Sequence, residues 1–150
     1  MHARDLARPC ATVHADAPAA RAAELLADGE ADAVVVVSHG GHPLACLDAR
    51  EILAGSLPGL VREDELRAAV AGDRFDQDVR ENLTSLTVAD VLPRPRRAPA
   101  VVSPHASPLQ LAAVMTRTGS PVAVVVSYDA DDRPHLLGTV TADAVLAHFR

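Results

Sequence analysis

The chain contains the same segment twice, and this internal repeat limits the folds it can adopt more than any other feature. Residues 18–36, PAARAAELLADGEADAVVV, align without gaps on residues 108–126, PLQLAAVMTRTGSPVAVVV. Eight of these nineteen pairs are identical: Pro18/Pro108, Ala22/Ala112, Ala23/Ala113, Gly29/Gly119, Ala33/Ala123, Val34/Val124, Val35/Val125 and Val36/Val126. Further on, residues 43–54 (PLACLDAREILA) align on residues 136–147 (LLGTVTADAVLA). Two copies of one supersecondary unit imply pseudo-symmetry, with clefts at or beside the junction of the copies.

Composition excludes several classes of function. The chain has 150 residues, of which 49% are hydrophobic, so it can bury the core of one domain or of two half-domains that share a core. Its net charge is −6 and it contains no lysine, which argues against a nucleic-acid surface and excludes a Schiff-base lysine. With one Tyr, two Phe and no Trp, it also lacks platforms on which nucleic-acid bases stack.

The sequence carries no membrane or targeting signal. No apolar run approaches the roughly 20 residues that cross a bilayer, and the N-terminal MHARDLARPC has no hydrophobic signal region. We therefore expect a cytoplasmic protein with no membrane partner. Cys10 and Cys46 have no metal-type spacing, and in that compartment we expect reduced, structural thiols.

Each copy is predicted to contain strand, helix, strand, strand and helix. In the second copy, Val101–Val102 is a short extended entry, Ser107 is an N-cap, and a helix runs from Pro108 until Gly119 ends it. The run 122–126 is β-branched and typical of a strand buried on both faces. A polar turn, a strand over 136–140 and a helix over 142–149 complete the copy.

The first copy follows the same order, and the segment between the copies has no counterpart in the repeat. In the first copy we expect strands over 11–13, 33–37 and 44–47, and helices over about 18–28 and 49–55. The domains are accordingly 1–55, a linker over 56–86, and 87–150. Within the linker, REDELRAAVAG predicts one short amphipathic helix, and the charged 73–83 is expected to be exposed.

Taken together, the repeat, the VAVVV strand, the polar turn and the G-T-V-T-A-D segment resemble a tandem pair of CBS domains, a Bateman module. The resemblance covers about 1–55 and 87–150. It implies an α/β (α+β) fold in which two βαββα repeats pack sheet to sheet with pseudo-twofold symmetry. It also implies a regulatory module without enzymatic activity, which binds an adenosine-type ligand such as AMP, ADP, ATP or S-adenosylmethionine in an inter-repeat cleft. Such pairs commonly form homodimers and signal to an effector protein.

The resemblance also implies which residues bind the ligand, because the family's signature is Gly, two apolar residues, Thr or Ser, two variable residues and Asp. In the second copy, Gly138, Val140 and Thr141 match, Ala144 stands at the Asp position, and Asp143 comes one residue early. Glycine admits a close backbone approach, and a hydroxyl at a helix N-terminus suits a phosphate. The adenine is expected on aliphatic strand residues, here Val122, Ala123 and Val140.

In the first copy the signature departs further from the family pattern. Ala45 stands at the glycine position and Asp48 at the Thr position, where it caps the helix but repels phosphate. Glu51 replaces the ribose-binding Asp, and Arg50 is placed to reach a phosphate. Neither copy has the full signature, which leaves a second function open: a ligand-free dimerisation or protein-interaction module. In that interpretation, Asp48 and Thr141 are N-caps only.

Other motifs carry little chemistry. His39 and His42 lie in a predicted turn without a third ligand nearby, so we expect no metal site. Arg94, Arg96 and Arg97 form a basic connector, which we interpret as solvated, although it is also placed to hold phosphates or an acidic partner. No catalytic motif is present.

Overall fold

The computed structural model describes residues 1–29, 31–95 and 98–150 and has the predicted mixed α/β architecture. The first repeat region contains α1 (Ala3–Leu6), β1 (Ala11–His14), α2 (Ala19–Ala27), β2 (Ala33–Val37), β3 (Pro43–Asp48) and α3 (Ala49–Ser56). The linker contains α4 (Gly59–Glu63), α5 (Glu65–Ala71) and α6 (Asp76–Ser85). The second repeat region contains α7 (Val88–Val91), β4 (Val101–Val102), α8 (Pro108–Thr118), β5 (Val122–Tyr128), β6 (Pro134–Thr141) and α9 (Ala142–His148).

Each repeat forms a three-stranded sheet with the same topology. β1 is parallel to the central β2, and β3 is antiparallel to it. β4, β5 and β6 repeat this arrangement. The parallel connection runs through a helix in both repeats, α2 and α8, as parallel strand pairs require. The prediction of two βαββα units is confirmed.

The two sheets face each other through valines. Val35 and Val37 of β2 pack with Val124 and Val126 of β5 in one buried cluster. The alternate valines, Val34 and Val36 in the first sheet, point to the helix side and belong to a separate core. Both faces of each central strand are therefore covered, which explains the uninterrupted β-branched runs.

The leading helix of each repeat packs on the other repeat. Ala3 of α1 is fully buried in the second core, and its N–H donates to Ala106 O over 2.8 Å. Val88 of α7 is fully buried in the first core, and its N–H donates to Ala17 O, also over 2.8 Å. The second core therefore contains a residue of the range 1–55 and the first core contains residues of the range 87–150, and this exchange interlocks the repeats.

The linker contains more helix than the sequence indicated. Besides α5, which corresponds to the one predicted helix, the charged stretch after it forms α6. Phe75, the residue before α6, and Val79 and Leu83 within it recur every four residues and are half-buried. Asn82 fixes α6 to α3 because its Nδ2 donates to Ser56 O over 2.9 Å.

Among the described residues, none of the helices combines the length and the apolar character needed to span a membrane.

Candidate functional site

A cavity of about 330 Å³ lies between the first repeat and the polypeptide that enters the second. One wall is the corner between β3 and α3, with Ala45 and Cys46 on the strand and Asp48, Arg50 and Glu51 after it. The opposite walls are the connector residues 92–93 and 98–99 and the turn 118–121 between α8 and β5. Its volume is at the lower end of the range found for small-molecule sites, roughly 300–1,000 Å³.

Asp48 and Glu51 form a reciprocal capping box at the N-terminus of α3. The carboxylate of Asp48 accepts a hydrogen bond from Glu51 N–H over 2.8 Å, and Glu51 Oε1 accepts one from Asp48 N–H over 3.2 Å. This arrangement satisfies two backbone donors that a helix start otherwise leaves free. The expectation that Asp48 caps this helix is confirmed, and both carboxylates lie at the cavity wall.

The carboxylates of Glu51 and Asp48 have different electrostatic surroundings. Burial raises the pKa of Glu51, against the opposing effect of the hydrogen bond from Asp48 N–H. Arg50 is the neighbouring cation, yet its guanidinium lies 4.0 Å from the Asp48 carboxylate and its side chain is 89% exposed. Arg50 is therefore free to turn toward a ligand at the cavity mouth at little cost.

The thiols near the cavity are protonated at neutral pH. Burial raises the pKa of Cys46 to about 12, with smaller contributions from Cys10 and Glu51. Burial also raises the pKa of Cys10. Both cysteines are free and half-buried beside the valine cluster between the sheets. A protonated thiol is a poor nucleophile, so Cys46 contributes packing and shape to the cavity wall.

In the second repeat, the polypeptide itself occupies the approach to the signature glycine. Gly138 has φ +147°, and a Cβ at this position would overlap the backbone carbonyl of Arg8. Arg8 and Thr139 exchange two backbone hydrogen bonds of 2.9 Å, which fix the N-terminal segment along β6. Glycine leaves space for another backbone to approach closely, and here the backbone of Arg8 from the same chain fills that space.

The remaining second-repeat candidates are dispersed. Thr141 caps α9 by accepting a hydrogen bond from Ala144 N–H over 3.4 Å. Asp143 is exposed, and the Thr141 hydroxyl lowers the pKa of its carboxyl, with a further contribution from Arg8. Val122, Ala123 and Val140 are at most 4% exposed. The assignment of these residues to a ligand stays a prediction; the first-repeat residues Asp48, Arg50 and Glu51 are the candidates that line one cavity together.

Sequence reasoning did not identify the far walls of the cavity. The connector residues Leu92, Pro93, Ala98 and Pro99 and the turn Thr118–Pro121 belong to or lead into the second repeat, yet they lie against β3 and α3 of the first. The crossed packing of α7 carries the connector there. The prolines on either side of the connector are a signal of an extended segment, although they do not reveal what it covers.

The other motifs form no comparable site. Among residues 1–29, 31–95 and 98–150, no three His, Cys, Asp or Glu side chains are arranged to hold a metal ion. His39 instead stacks on His14 and lies 3.1 Å from the Asp16 carboxylate. Within the basic connector, Arg94 is exposed, whereas Arg96 and Arg97 lie outside the described residues.

Comparison with known proteins gives the family. The family model described as CBS domain matches residues 88–150. A CBS domain-containing protein from Kribbella flavida DSM 17836 is 28% identical, with both chains covered completely and a TM-score of 0.81. The CBS domain of a membrane protein from Sphaerobacter thermophilus is 25% identical over 98% of this chain and 86% of that one, with a TM-score of 0.71.

A third similar structure is that of CBSX2 from Arabidopsis thaliana in complex with AMP. It is 18% identical over 99% of this chain and 95% of that one, with a TM-score of 0.61, a likeness that concerns the fold. No curated protein matches the sequence. Residues 88–150 therefore belong to the CBS domain family, and the chain as a whole is built as a tandem CBS-domain pair.

Proposed function

We propose that this chain is a non-enzymatic regulatory module that binds an adenosine-type ligand in the cavity beside α3. The observation that carries the proposal is the convergence of Asp48, Arg50 and Glu51 with the second-repeat connector around one cavity. Asp48 and Glu51 stand at the hydroxyl and carboxylate positions of the family signature, and Arg50 lies between them. A CBS-pair structure with AMP bound, that of CBSX2, supports the ligand class.

The walls of the cavity suit an adenosine moiety. Ala45, Leu92 and Pro99 supply apolar surface for a base, and Glu51 supplies a carboxylate that accepts hydrogen bonds from ribose hydroxyls. Glu51 is one methylene longer than the Asp of the family signature, so the ribose would lie further from α3. Adenine binding here would depend on aliphatic contacts, because the described residues that line the cavity include no aromatic side chain.

A phosphate at the N-terminus of α3 is disfavoured. The amide that points to the phosphate in comparable helix-terminal sites, Glu51 N–H, is already bonded to the Asp48 carboxylate. A phosphate at this position would also face the charge of Asp48 directly. In our proposal the phosphates of AMP, ADP or ATP extend past Arg50 instead, and S-adenosylmethionine, which has no phosphate, avoids the conflict.

Ligand binding in this cavity would couple to the packing of the two repeats. The cavity walls come from β3 and α3 of the first repeat and from the turn between α8 and β5 of the second. A ligand that contacts both walls would favour the conformation in which the two walls are closest together. An effector protein that binds this conformation preferentially would then respond to the ligand.

The test is a thermal-shift titration of the whole chain with AMP, ADP, ATP, S-adenosylmethionine and NAD, followed by calorimetry of any ligand that acts. A ligand at about 100 times its dissociation constant adds roughly 2.7 kcal/mol to the free energy of unfolding, a shift of several degrees. We expect a saturable shift with at least one member of the panel. A flat response to all five contradicts the proposal.

Substitution of Asp48 provides the residue-level test. Asp48→Thr restores the hydroxyl of the family signature and removes the charge that opposes phosphate. We expect it to strengthen AMP binding by roughly tenfold relative to adenosine. Asp64→Thr is the matched control, because Asp64 caps α5 in the same way, through Leu66 N–H over 2.9 Å, away from the cavity. Equal effects of the two substitutions on AMP binding would exclude the role assigned to Asp48.

The second candidate function is a ligand-free interaction module, favoured by the contact between Arg8 and Gly138. If the second cleft is closed by the N-terminal segment and the first by its two carboxylates, the fold is used for association alone. The wild type then binds none of the five adenosine ligands, while it still associates with a protein partner.

A further inference from the structure

A second groove, of about 420 Å³, lies beside the proposed ligand cavity. The residues that line it come from α3, α4, α7 and the start of the connector: Glu51, Ala54, Gly55, Arg62 and residues 90–94. Glu51 and residues 92–93 also line the cavity. The groove and the cavity are therefore neighbours, and Glu51 belongs to the wall of both.

Two arginines from different elements line this groove. Arg62 of α4 is held by a hydrogen bond from its Nη2 to Leu57 O over 2.9 Å, which uses one of the five N–H donors of a guanidinium. Arg94 follows α7 in the connector, and both arginine side chains are exposed. Guanidinium groups that converge on one groove suit a phosphate, because several N–H donors can meet its oxygens.

The two carboxylates of the groove both serve as partners of backbone groups at helix starts. Glu51 Oε1 accepts a hydrogen bond from Asp48 N–H, and Asp90 Oδ2 accepts one from Thr87 N–H over 2.9 Å. The bond from Thr87 N–H lowers the pKa of Asp90, and the positive charge of Arg94 lowers it further. Burial raises the pKa of Glu51, which makes it the easier of the two to protonate beside an anion.

Glu51 relates the groove to the ribose of the proposed ligand. In the proposed function this carboxylate accepts hydrogen bonds from the ribose hydroxyls, which are on the 2′ and 3′ carbons. A group attached to one of these hydroxyls lies on the Glu51 side of the sugar ring, where the groove begins. The 5′ substituent leaves the ring at another carbon and extends past Arg50.

We propose that the module prefers an adenosine with a phosphate on its 2′ or 3′ hydroxyl, and that this phosphate lies in the groove between Arg62 and Arg94. The inference rests on the function proposed above and names the ligand class of the same site. The hydroxyl without phosphate still donates to Glu51, and the base keeps the aliphatic contacts of the cavity. Ala54 and Gly55 have little or no side chain, which leaves room for the phosphate beside α3.

Calorimetry of the full chain with 2′-AMP, 3′-AMP, 5′-AMP and adenosine tests this preference. The three phosphates are isomers, so a difference between them reports the position of the phosphate. We expect 2′-AMP or 3′-AMP to bind at least about tenfold more tightly than 5′-AMP and adenosine. If 5′-AMP binds as tightly as both other isomers or more tightly, the inference fails and the proposed function stands. If none of the four compounds binds, the inference also fails, and the five-ligand titration decides separately on the proposed function.

Sodium phosphate distinguishes a free anion from a phosphate attached to the ribose. We expect it to bind at least about a hundredfold more weakly than the preferred isomer, because the adenosine part supplies the rest of the affinity through the cavity. Inorganic phosphate that binds as tightly as the isomer would mean that the groove holds a free anion, and this would overturn the proposal.

Substitution of the arginines tests their assignment. Arg62→Gln and Arg94→Gln should each weaken binding of the preferred isomer by roughly tenfold and leave adenosine binding unchanged. Arg67→Gln is the matched control, because Arg67 of α5 is paired with Asp64 over 3.6 Å and is not among the described residues that line the groove. An equal loss for adenosine and the isomer, or no loss in either variant, overturns the role of the two arginines. Circular dichroism of each variant confirms that the fold is retained.

Discussion

Asp48 and Glu51 stabilise the start of α3 and also line the cavity that we propose as the ligand site. Each carboxylate satisfies a backbone N–H of the first turn of α3, and each also lies at the cavity wall. A substitution that favours ligand binding therefore also alters the helix start. Removing the Asp48 side chain would cost about 1 kcal/mol in capping alone.

The protonation state of Glu51 gives a prediction about stability and pH. Because burial raises the pKa of Glu51 in the folded chain, the ionised form destabilises the native state relative to the unfolded one. This penalty is absent below the pKa that Glu51 has in the unfolded chain, grows as the pH rises from there to the folded pKa, and is constant above it. Glu51→Gln keeps an oxygen for the Asp48 N–H and removes the penalty. The stability of the variant relative to the wild type should therefore rise as the pH increases above about 4, the ordinary pKa of a glutamate side chain.

Urea denaturation at several pH values measures this difference. The quantity of interest is the free energy of unfolding of Glu51→Gln minus that of the wild type. It should increase with pH across the range, whereas Glu63→Gln, at an exposed carboxylate on α4, serves as the control. A difference that falls with rising pH would show that Glu51 is stabilised in its ionised form.

Gly138 marks the limit of sequence reasoning at single residues. Its position in the repeat predicted a backbone approach to a ligand, and the need for glycine is real, since φ is +147° and Arg8 lies against it. The group that approaches is nevertheless the chain itself. The motif shows that a glycine is needed at this position. It does not show which group packs against the glycine, because that group, the backbone of Arg8, is far away in the sequence.

At the scale of elements, the leading helix of each repeat is built into the core of the other repeat. α1 contributes Ala3 to the second core, and α7 contributes Val88 and Val91 to the first. Neither helix exceeds four residues, so neither is stable by itself, and each is held by packing on the opposite repeat.

A charge placed in α1 tests this exchange. Ala3→Asp would bury a carboxylate in the second core, where Ala3 is 0% exposed. We expect a loss of about 2–4 kcal/mol in the free energy of unfolding. Ala69→Asp, at an exposed position of α5, is the matched control. Urea denaturation of both variants provides the measurement, and equal stabilities would mean that α1 does not dock as described.

Element boundaries were predictable wherever local chemistry determines them. Ser107, Pro108 and Gly119 bound α8 as the sequence indicated, with Ser107 Oγ accepting from Gln110 N–H over 3.2 Å and Gly119 in the left-handed region. α6 was not predicted because most of its residues are charged or polar and few apolar residues mark its buried face. Its position also depends on tertiary contacts, such as the hydrogen bond from Asn82 to Ser56.

At the scale of the molecule, the repeat predicted the architecture but not the difference between its two clefts. The sheets, their topology and the valine interface follow from two copies of one pattern. The cavity beside α3 depends on the connector after α7, which has no aligned counterpart in the repeat. The two repeats therefore have equivalent sheets and helices, whereas the segments outside the repeat determine the shape and lining of the cavity beside each one.

Calorimetry with a blocked cavity tests the central claim, that this cavity is the ligand site. Ala98 is exposed and lines the cavity, so Ala98→Trp fills it without entering a core. Ala68→Trp places the same side chain on the exposed α5. For any ligand that shifts the melting temperature of the wild type, we predict unchanged binding to Ala68→Trp and a loss of at least about tenfold with Ala98→Trp. Equal affinity for both variants would contradict the account and place the ligand elsewhere on the molecule.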